Sequence, residues 1–503
     1  MFTSPAFMLI FLMLGQGLFP GAYLPVSSLL ALAPALLIAV VYAQMSAAFP
    51  RSGGDYVFVG RILHPSLGFM VNFVLTVINV SVIGVEAVWI TQYALGPMFN
   101  LLGLIDGNSA YTSIATVLTA QTNEFIIGAV VAVALPLIMF FGTNIAFKLQ
   151  SLLFFVTLIS VIVFIAVIAS ISPSTFSSNF ASLSGTTTQS VINSATSAGA
   201  KLGFNNNETV LGIVYTYLAV SGFWASTYVG GEVKQPARSQ LIGMISAPVL
   251  YVLLMIGAIL VSYASMGHNF LASINYLFLN NPSAYTLPSG SSPPVLQFLA
   301  GYASKNAGVV IIMYAGLLAT LFAYMLATTF ACVRCVFAWS FDSIIPTKFS
   351  DVDKRYNVPQ FALGLLIVIN LIFVILEVYT PAVTAFFTYV VTGVFAALVF
   401  VGLAAVIFPY TRKDWFNLAP PITKKKVGGV PVISILGVAL IIVSLFIGYA
   451  SLLPSLVGPL NATYVSFVPG LFVAGFAIYW VSYAIQKKRG VPVEKLQKEI
   501  PPE

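Results

Sequence analysis

Charge is what this sequence has least of. Only 7% of its 503 residues are Asp, Glu, Lys or Arg, where a soluble domain carries roughly a quarter. Hydrophobic residues make up 59% and the mean hydropathy is +0.99. That balance excludes a water-facing globular surface. Strand-like alternation is missing too, which argues against a membrane β-barrel. There are two cysteines and two histidines. His64 and His268 lie far apart with no metal-ligand spacing around either. Cys332 and Cys335 form a C-x-x-C on a predicted helix, without the βαβ setting of a redox motif, and read as helix packing. No H-E-x-x-H, G-x-S-x-G or P-loop occurs. The expectation is therefore a protein that is not an enzyme and needs no cofactor.

What is present is a series of long apolar runs. Bilayer hydrocarbon cannot hydrogen-bond a bare backbone, so such runs span as helices. About twelve are long enough to cross a core of about 30 Å, near residues 4–20, 22–46, 65–97, 124–143, 149–171, 209–231, 241–265, 308–340, 359–378, 381–409, 431–454 and 464–486. If the loop at 47–64 is cytoplasmic and the chain alternates, 19 of the 21 Lys and Arg residues fall inside, and only Lys201 and Lys305 outside. The net charge of +7 is then spread over membrane-edge loops, so nucleic acid is not an expected partner. Membrane lipid is, with Lys424-Lys425-Lys426 placed to touch anionic headgroups. The Ser-, Thr-, Asn- and Gly-rich stretch 172–208 reads as an external polar linker. Sequons at Asn207 and Asn461 land outside, whereas the one at Asn79 lies inside a helix.

Three stretches carry more information. Tyr42-Ala43-Gln44-Met45 leads to Pro50-Arg51-Ser52-Gly53-Gly54-Asp55-Tyr56, then His64-Pro65 and Leu67-Gly68-Phe69. Phe223 to Arg238 ends Glu232-Val233-Lys234-Gln235-Pro236-Ala237-Arg238. Phe341-Asp342-Ser343-Ile344-Ile345-Pro346 is followed by Lys354-Arg355-Tyr356-Asn357-Val358-Pro359. In this order, and all on the expected cytoplasmic side, they resemble the signatures of the amino acid–polyamine–organocation permeases. His64 stands where that family has Gly, and Ser340 and Ser343 stand where it has Arg and Gly.

The resemblance implies an all-α integral membrane protein with a LeuT-like five-plus-five inverted repeat and two further C-terminal helices. The parts would be a first repeat over 1–171, an extracellular loop over 172–208, a second repeat over 209–409, two additional helices over 410–486 and a cytoplasmic tail over 487–503. It implies a secondary transporter of the plasma membrane, working by alternating access on an amino acid. A polyamine or other organic cation, or a sensor that does not transport, are the alternatives. Substrate would bind where helices 1 and 6 are broken near the midplane.

The sixth run fits on its own chemistry. Ser221-Gly222, within Val220-Ser221-Gly222-Phe223-Trp224, puts a helix-weakening Gly beside a Ser that can satisfy a freed backbone group; close helix packing is the other reading. In the first run the break is expected at Ser4-Pro5-Ala6, which would leave the cytoplasmic half of helix 1 missing and Met1 at the level of the site or downstream of the true start. Gly15-Gln16-Gly17 is the alternative break. Glu86 is a charge inside a span, costing about 2.5–3.5 kcal/mol on insertion scales, and shares a helix face with Asn79 and Ile83. It either binds a cationic group or accepts a coupled proton, unless it is a passive residue near the outer interface. Tyr215, Tyr217, Trp224 and Tyr324 are expected to line or gate the pocket. The lysine that proton-coupled relatives carry in helix 5 is replaced by Thr157, which with Thr328 and Thr329 could supply oxygens to Na⁺. The coupling ion is thus H⁺ or Na⁺. Glu377 is expected at the outer end of helix 9, at the interface.

Overall fold

A computed structural model describes residues 8–232, 235–287, 292–353, 358–380, 383–453 and 462–491. The chain is helical throughout: α1 (Met8–Leu18), α2 (Leu24–Ala48), α3 (Asp55–Ile62), α4 (Pro65–Trp89), α5 (Gly96–Asp106), α6 (Ser109–Leu118), α7 (Gln121–Leu137) and α8 (Thr143–Ala169) come first. Then follow α9 (Pro173–Ser184), α10 (Thr188–Ser197), α11 (Asn206–Leu211), α12 (Ile213–Leu218), α13 (Pro236–Met266), α14 (His268–Asn280), α15 (Leu296–Ser304) and α16 (Ala307–Phe341). The last elements are α17 (Gln360–Tyr379), α18 (Val383–Thr411), α19 (Lys413–Leu418), the two-residue strands β1 (Lys426–Val427) and β2 (Val430–Pro431), α20 (Val432–Ala450) and α21 (Ala462–Lys488). Among the described residues, eleven stretches of helix are long and apolar enough to span. The chain is an all-α, multi-pass membrane protein.

Those spans match eleven of the twelve apolar runs with shifts of a few residues; the first run, 4–20, is described only from Met8 and is not among them, and two other differences are larger. The third run continues past residue 97: α4 passes through a π-helical turn at Ile90–Leu95 into α5, so one helical stretch covers 65–106. The region 172–208 is no bare linker. Ser172 and Thr187 cap α9 and α10, and Phe176 and Phe180 of α9 pack on Phe270. Hydroxyl-rich composition suggested disorder, yet the same hydroxyls supply the caps and two rings anchor the helix.

α4 is the axis of the bundle. The apolar core of 65–106 is 89% buried, against 17% for Ser466–Lys488 of α21, which lies at the periphery. α4 touches α3, α7, α16, α17, α18 and α21. α8 packs along α16, and there backbones come close: a Cβ on Gly316 would sit 2.0 Å from that of Ser160. Small residues set such crossings in membranes, where van der Waals packing must do what water does elsewhere.

Within α1, the described helix is about 16 Å long, roughly half a hydrocarbon core. Gly15-Gln16-Gly17 is continuous helix there, so the alternative break is not taken up. Ser4, Pro5, Ala6 and Met1 lie outside the described residues, as do Lys234, the stretch 354–357, Asn461 and the chain beyond residue 491.

Gly316→Val tests the α8–α16 crossing. We expect a loss of about 1–3 kcal/mol from overpacking, seen as a lowered unfolding temperature in detergent, whereas Gly364→Val, where a Cβ meets nothing within 4 Å, should leave it nearly unchanged.

Candidate functional site

The helix that begins at α11 does not run through. After Leu218 the chain makes tight turns, with Val220 N–H donating to Tyr217 O and Ser221 N–H to Leu218 O. Gly222 then takes φ +97°, a conformation that costs an L-residue about 1–2 kcal/mol. A 3₁₀ segment, Phe223–Glu232, carries the chain onward. Ser221 Oγ donates to Leu218 O at 2.8 Å, the repair expected of a serine at such a break. The chain is therefore unwound at Ser221-Gly222, between two helical pieces, and Phe223 and Trp224 open the second.

Aromatic side chains gather around the break. Tyr217 is buried with its hydroxyl unpartnered, and its ring lies 4.8 Å from Phe395 of α18. Trp224 is buried with Nε1 unpartnered, its ring 5.4 Å from Phe223 and 6.5 Å from Tyr42 of α2. Tyr215 is fully buried in the same helical piece.

Glu86 lies on α4 with 0% exposure, and neither carboxylate oxygen has a hydrogen-bond partner. Tyr324, within electrostatic reach of it, is the middle residue of α16 and bonds Thr328. Glu86 thus lies inside the bundle beside the middle of α16, with neither carboxylate oxygen bonded. Ile83 is fully buried one turn away, and Asn79 spends its amide on Leu75 O. Glu377 lies near the end of α17 yet is buried, accepting from Trp89 Nε1 at 3.2 Å.

The three threonines do not gather. Thr157 donates to Leu153 O and meets α16 at Gly316 and Thr320. Thr328 is two turns further along, about 12 Å of helix rise, and Thr329 is bonded to Met325 O. Among the described residues no group of three or more His, Cys, Asp or Glu could hold a metal ion.

A second polar cluster, which the sequence alone did not bring together, sits at the end of the bundle where the basic loops lie. Asp55, the first residue of α3, has 0% exposure. Its Oδ2 accepts from the Tyr42 hydroxyl at 3.2 Å and the Tyr228 hydroxyl at 2.9 Å, and its Oδ1 from Asn72 Nδ2 at 2.6 Å. Asn72 Oδ1 in turn accepts from Trp339 Nε1 at 2.7 Å. Gly54 presses against the 3₁₀ segment so closely that a Cβ would lie 2.6 Å from Thr227 Oγ1. Beside this, Arg61 and Asp342 form a buried ion pair at 2.8 Å, and the Tyr56 hydroxyl also donates to Asp342. Burial pushes the Asp55 carboxyl up from its usual 3.8 to about 6, with the bonds from Asn72, Tyr228 and Tyr42 pulling the other way. Its local signal was the Gly-Gly-Asp-Tyr of the loop; its partners come from α2, α4 and the broken span.

The two clusters are joined by one seam. From Asn72 to Glu86 along α4 is about 21 Å of rise, and the facing residues of α16 run back over a similar length from Trp339 to Tyr324. Between them Cys332 Sγ donates to Thr76 O at 3.9 Å, and Cys335 contacts Asn72 at 3.5 Å.

Removing one partner of a buried ion pair costs about 3–5 kcal/mol, while replacing both by apolar groups costs far less. Arg61→Met should therefore destabilise strongly, and Arg61→Met with Asp342→Leu should recover most of the loss in the same thermal assay.

The family model described as Amino acid permease matches residues 8–496. No curated protein matches the chain.

Proposed function

Because the chain belongs to the amino acid permease family, we propose that it is a secondary active transporter that moves amino acids across the plasma membrane by alternating access, driven by protons. The observation that carries this reading is Glu86. An ionised carboxylate in a low-dielectric interior is costly without a partner, and a proton or a substrate ammonium group removes that cost. The break at Ser221-Gly222 complements it. Unwound backbone offers free N–H groups to a substrate carboxylate, beside the unpartnered Tyr217 hydroxyl and Trp224 Nε1. On this reading Ser4, Pro5 and Ala6 supply the matching break in helix 1. Protons are preferred over Na⁺ because Thr157 meets α16 at Thr320, two turns away from Thr328 and Thr329, so the three hydroxyl oxygens do not share one site.

The repeats of this reading are 1–171 and 209–409, with 172–208 outside, 410–486 as two added helices and 487–503 as a tail on the cytoplasmic side. The basic loops face the cytoplasm on the positive-inside argument. A polyamine or other organic cation is the second reading, favoured by the same unpartnered carboxylate.

Uptake by proteoliposomes of labelled amino acids and polyamines, with proton and sodium gradients imposed separately, tests both. We expect saturable amino acid uptake stimulated by an inward proton gradient. Glu86→Gln should cut uptake by about tenfold or more, the loss of about 1.4 kcal/mol of interaction, and abolish the proton stimulation. Binding without uptake under any gradient would instead mark a sensor.

A further inference from the structure

We propose that Asp55 is the pin of the cytoplasmic gate, tying three elements together while the gate is shut and holding them more firmly when the cytoplasm is acidic. The inference rests on the alternating-access reading and on its orientation. Opening toward the cytoplasm requires α2, α4 and the 3₁₀ segment after the broken span to separate at their basic end, and Asp55 bonds all three at once through Tyr42, Asn72 and Tyr228. The 3₁₀ segment is further tied to the loop by Gly53 N–H donating to Tyr228 O at 3.0 Å.

The titratable groups facing Asp55 are Tyr42 from α2, Tyr228 from the 3₁₀ segment and Cys335 from α16. Among the described residues no cation contacts it, and Arg61 is paired with Asp342. The buried carboxylate is thus held by neutral donors alone. Burial raises its proton affinity in the shut arrangement, to about 6 from 3.8 in water. A group whose affinity is raised in one state stabilises that state fully below the lower value and loses the effect as pH rises through the higher one. The shut gate is therefore favoured by acid and released toward neutral pH. Between pH 7 and pH 5 the opening equilibrium falls about tenfold on this linkage.

Cys335 is a native reporter, because it is fully buried against Asn72 and becomes wet when the pin lets go. In inside-out vesicles of a Cys332→Ala background, a charged thiol reagent is added at the cytoplasmic face while the lumen stays buffered. The rate is read against that of the same protein carrying Asp55→Asn, which cancels the intrinsic pH dependence of the thiol. We expect this ratio to exceed one and to rise about tenfold from pH 5 to pH 7. Tyr228→Phe, which removes one bond to the carboxylate and keeps the ring, should move the midpoint upward and serves if Asp55→Asn does not fold. A flat ratio between pH 5 and pH 8, faster labelling of Asp55→Asn at pH 7, or an unmoved midpoint in Tyr228→Phe overturns the proposal. No substrate is needed, so failure of the amino acid uptake assay leaves this test standing.

Discussion

Hydrocarbon offers a peptide group nothing to bond with, and that constraint governs this chain from end to end. It turns each apolar run into a helix, because only a helix pairs its own N–H and C=O groups within one segment. It also limits where a helix can stop. At Leu218 the chain leaves regular geometry inside the bundle, and part of the freed backbone, the N–H groups of Val220 and Ser221 and the carbonyls of Tyr217 and Leu218, is taken up locally by tight turns and by Ser221 Oγ. Gly222 absorbs the reversal of φ. A break made this way is stable only because α2, α16 and α18 surround it, and the surrounding aromatics leave polar atoms pointing inward rather than at lipid.

The same constraint sorts the acidic side chains by the company they keep. Asp342 has a guanidinium and a tyrosine hydroxyl. Asp55 has three neutral donors. Glu86 has none. All three lie along the α4–α16 seam or its basic end, so one interface holds both a paired charge and an unpaired one. Single hydrogen bonds from Trp339, Cys332 and Asn72 cross it.

How much of this can be read from the sequence depends on whether the signal is local. The spans are legible because twenty apolar residues without charge have one physical reading in a bilayer. Ser221-Gly222 is legible for the same reason, since the residues that break the helix and the one that repairs it are adjacent. Glu86 stands out as a charge in an apolar run, although its missing partners are visible only in three dimensions. The caps at Ser172 and Thr187 were local signals too, but composition masked them. Thr157 shows the opposite case. Its neighbours depend on where α8 crosses α16, and that register is set by the approach of Gly316 to Ser160, which no spacing in either helix announces. The Asp55 cluster is harder still: Tyr42, Asn72, Tyr228 and Trp339 come from four stretches, and only the packing of four elements makes them neighbours.

A pin and an empty carboxylate at opposite ends of one seam impose a sequence of events. While α4 and α16 remain docked, the basic end is closed by bonds that the chain makes to itself, and Glu86 can be satisfied only by something brought in from elsewhere. Separation of the basic end gives Asp55 water in exchange for its three neutral donors and removes the burial that raises its proton affinity. The Arg61–Asp342 pair sits beside it with a larger penalty for being broken singly, so movement that carries Arg61 and Asp342 together is cheaper than movement that parts them. α3 and the end of α16 should then travel as one body, and the parting line runs between that body and the 3₁₀ segment, where Gly54 meets Thr227 and the Tyr228 hydroxyl meets Asp55.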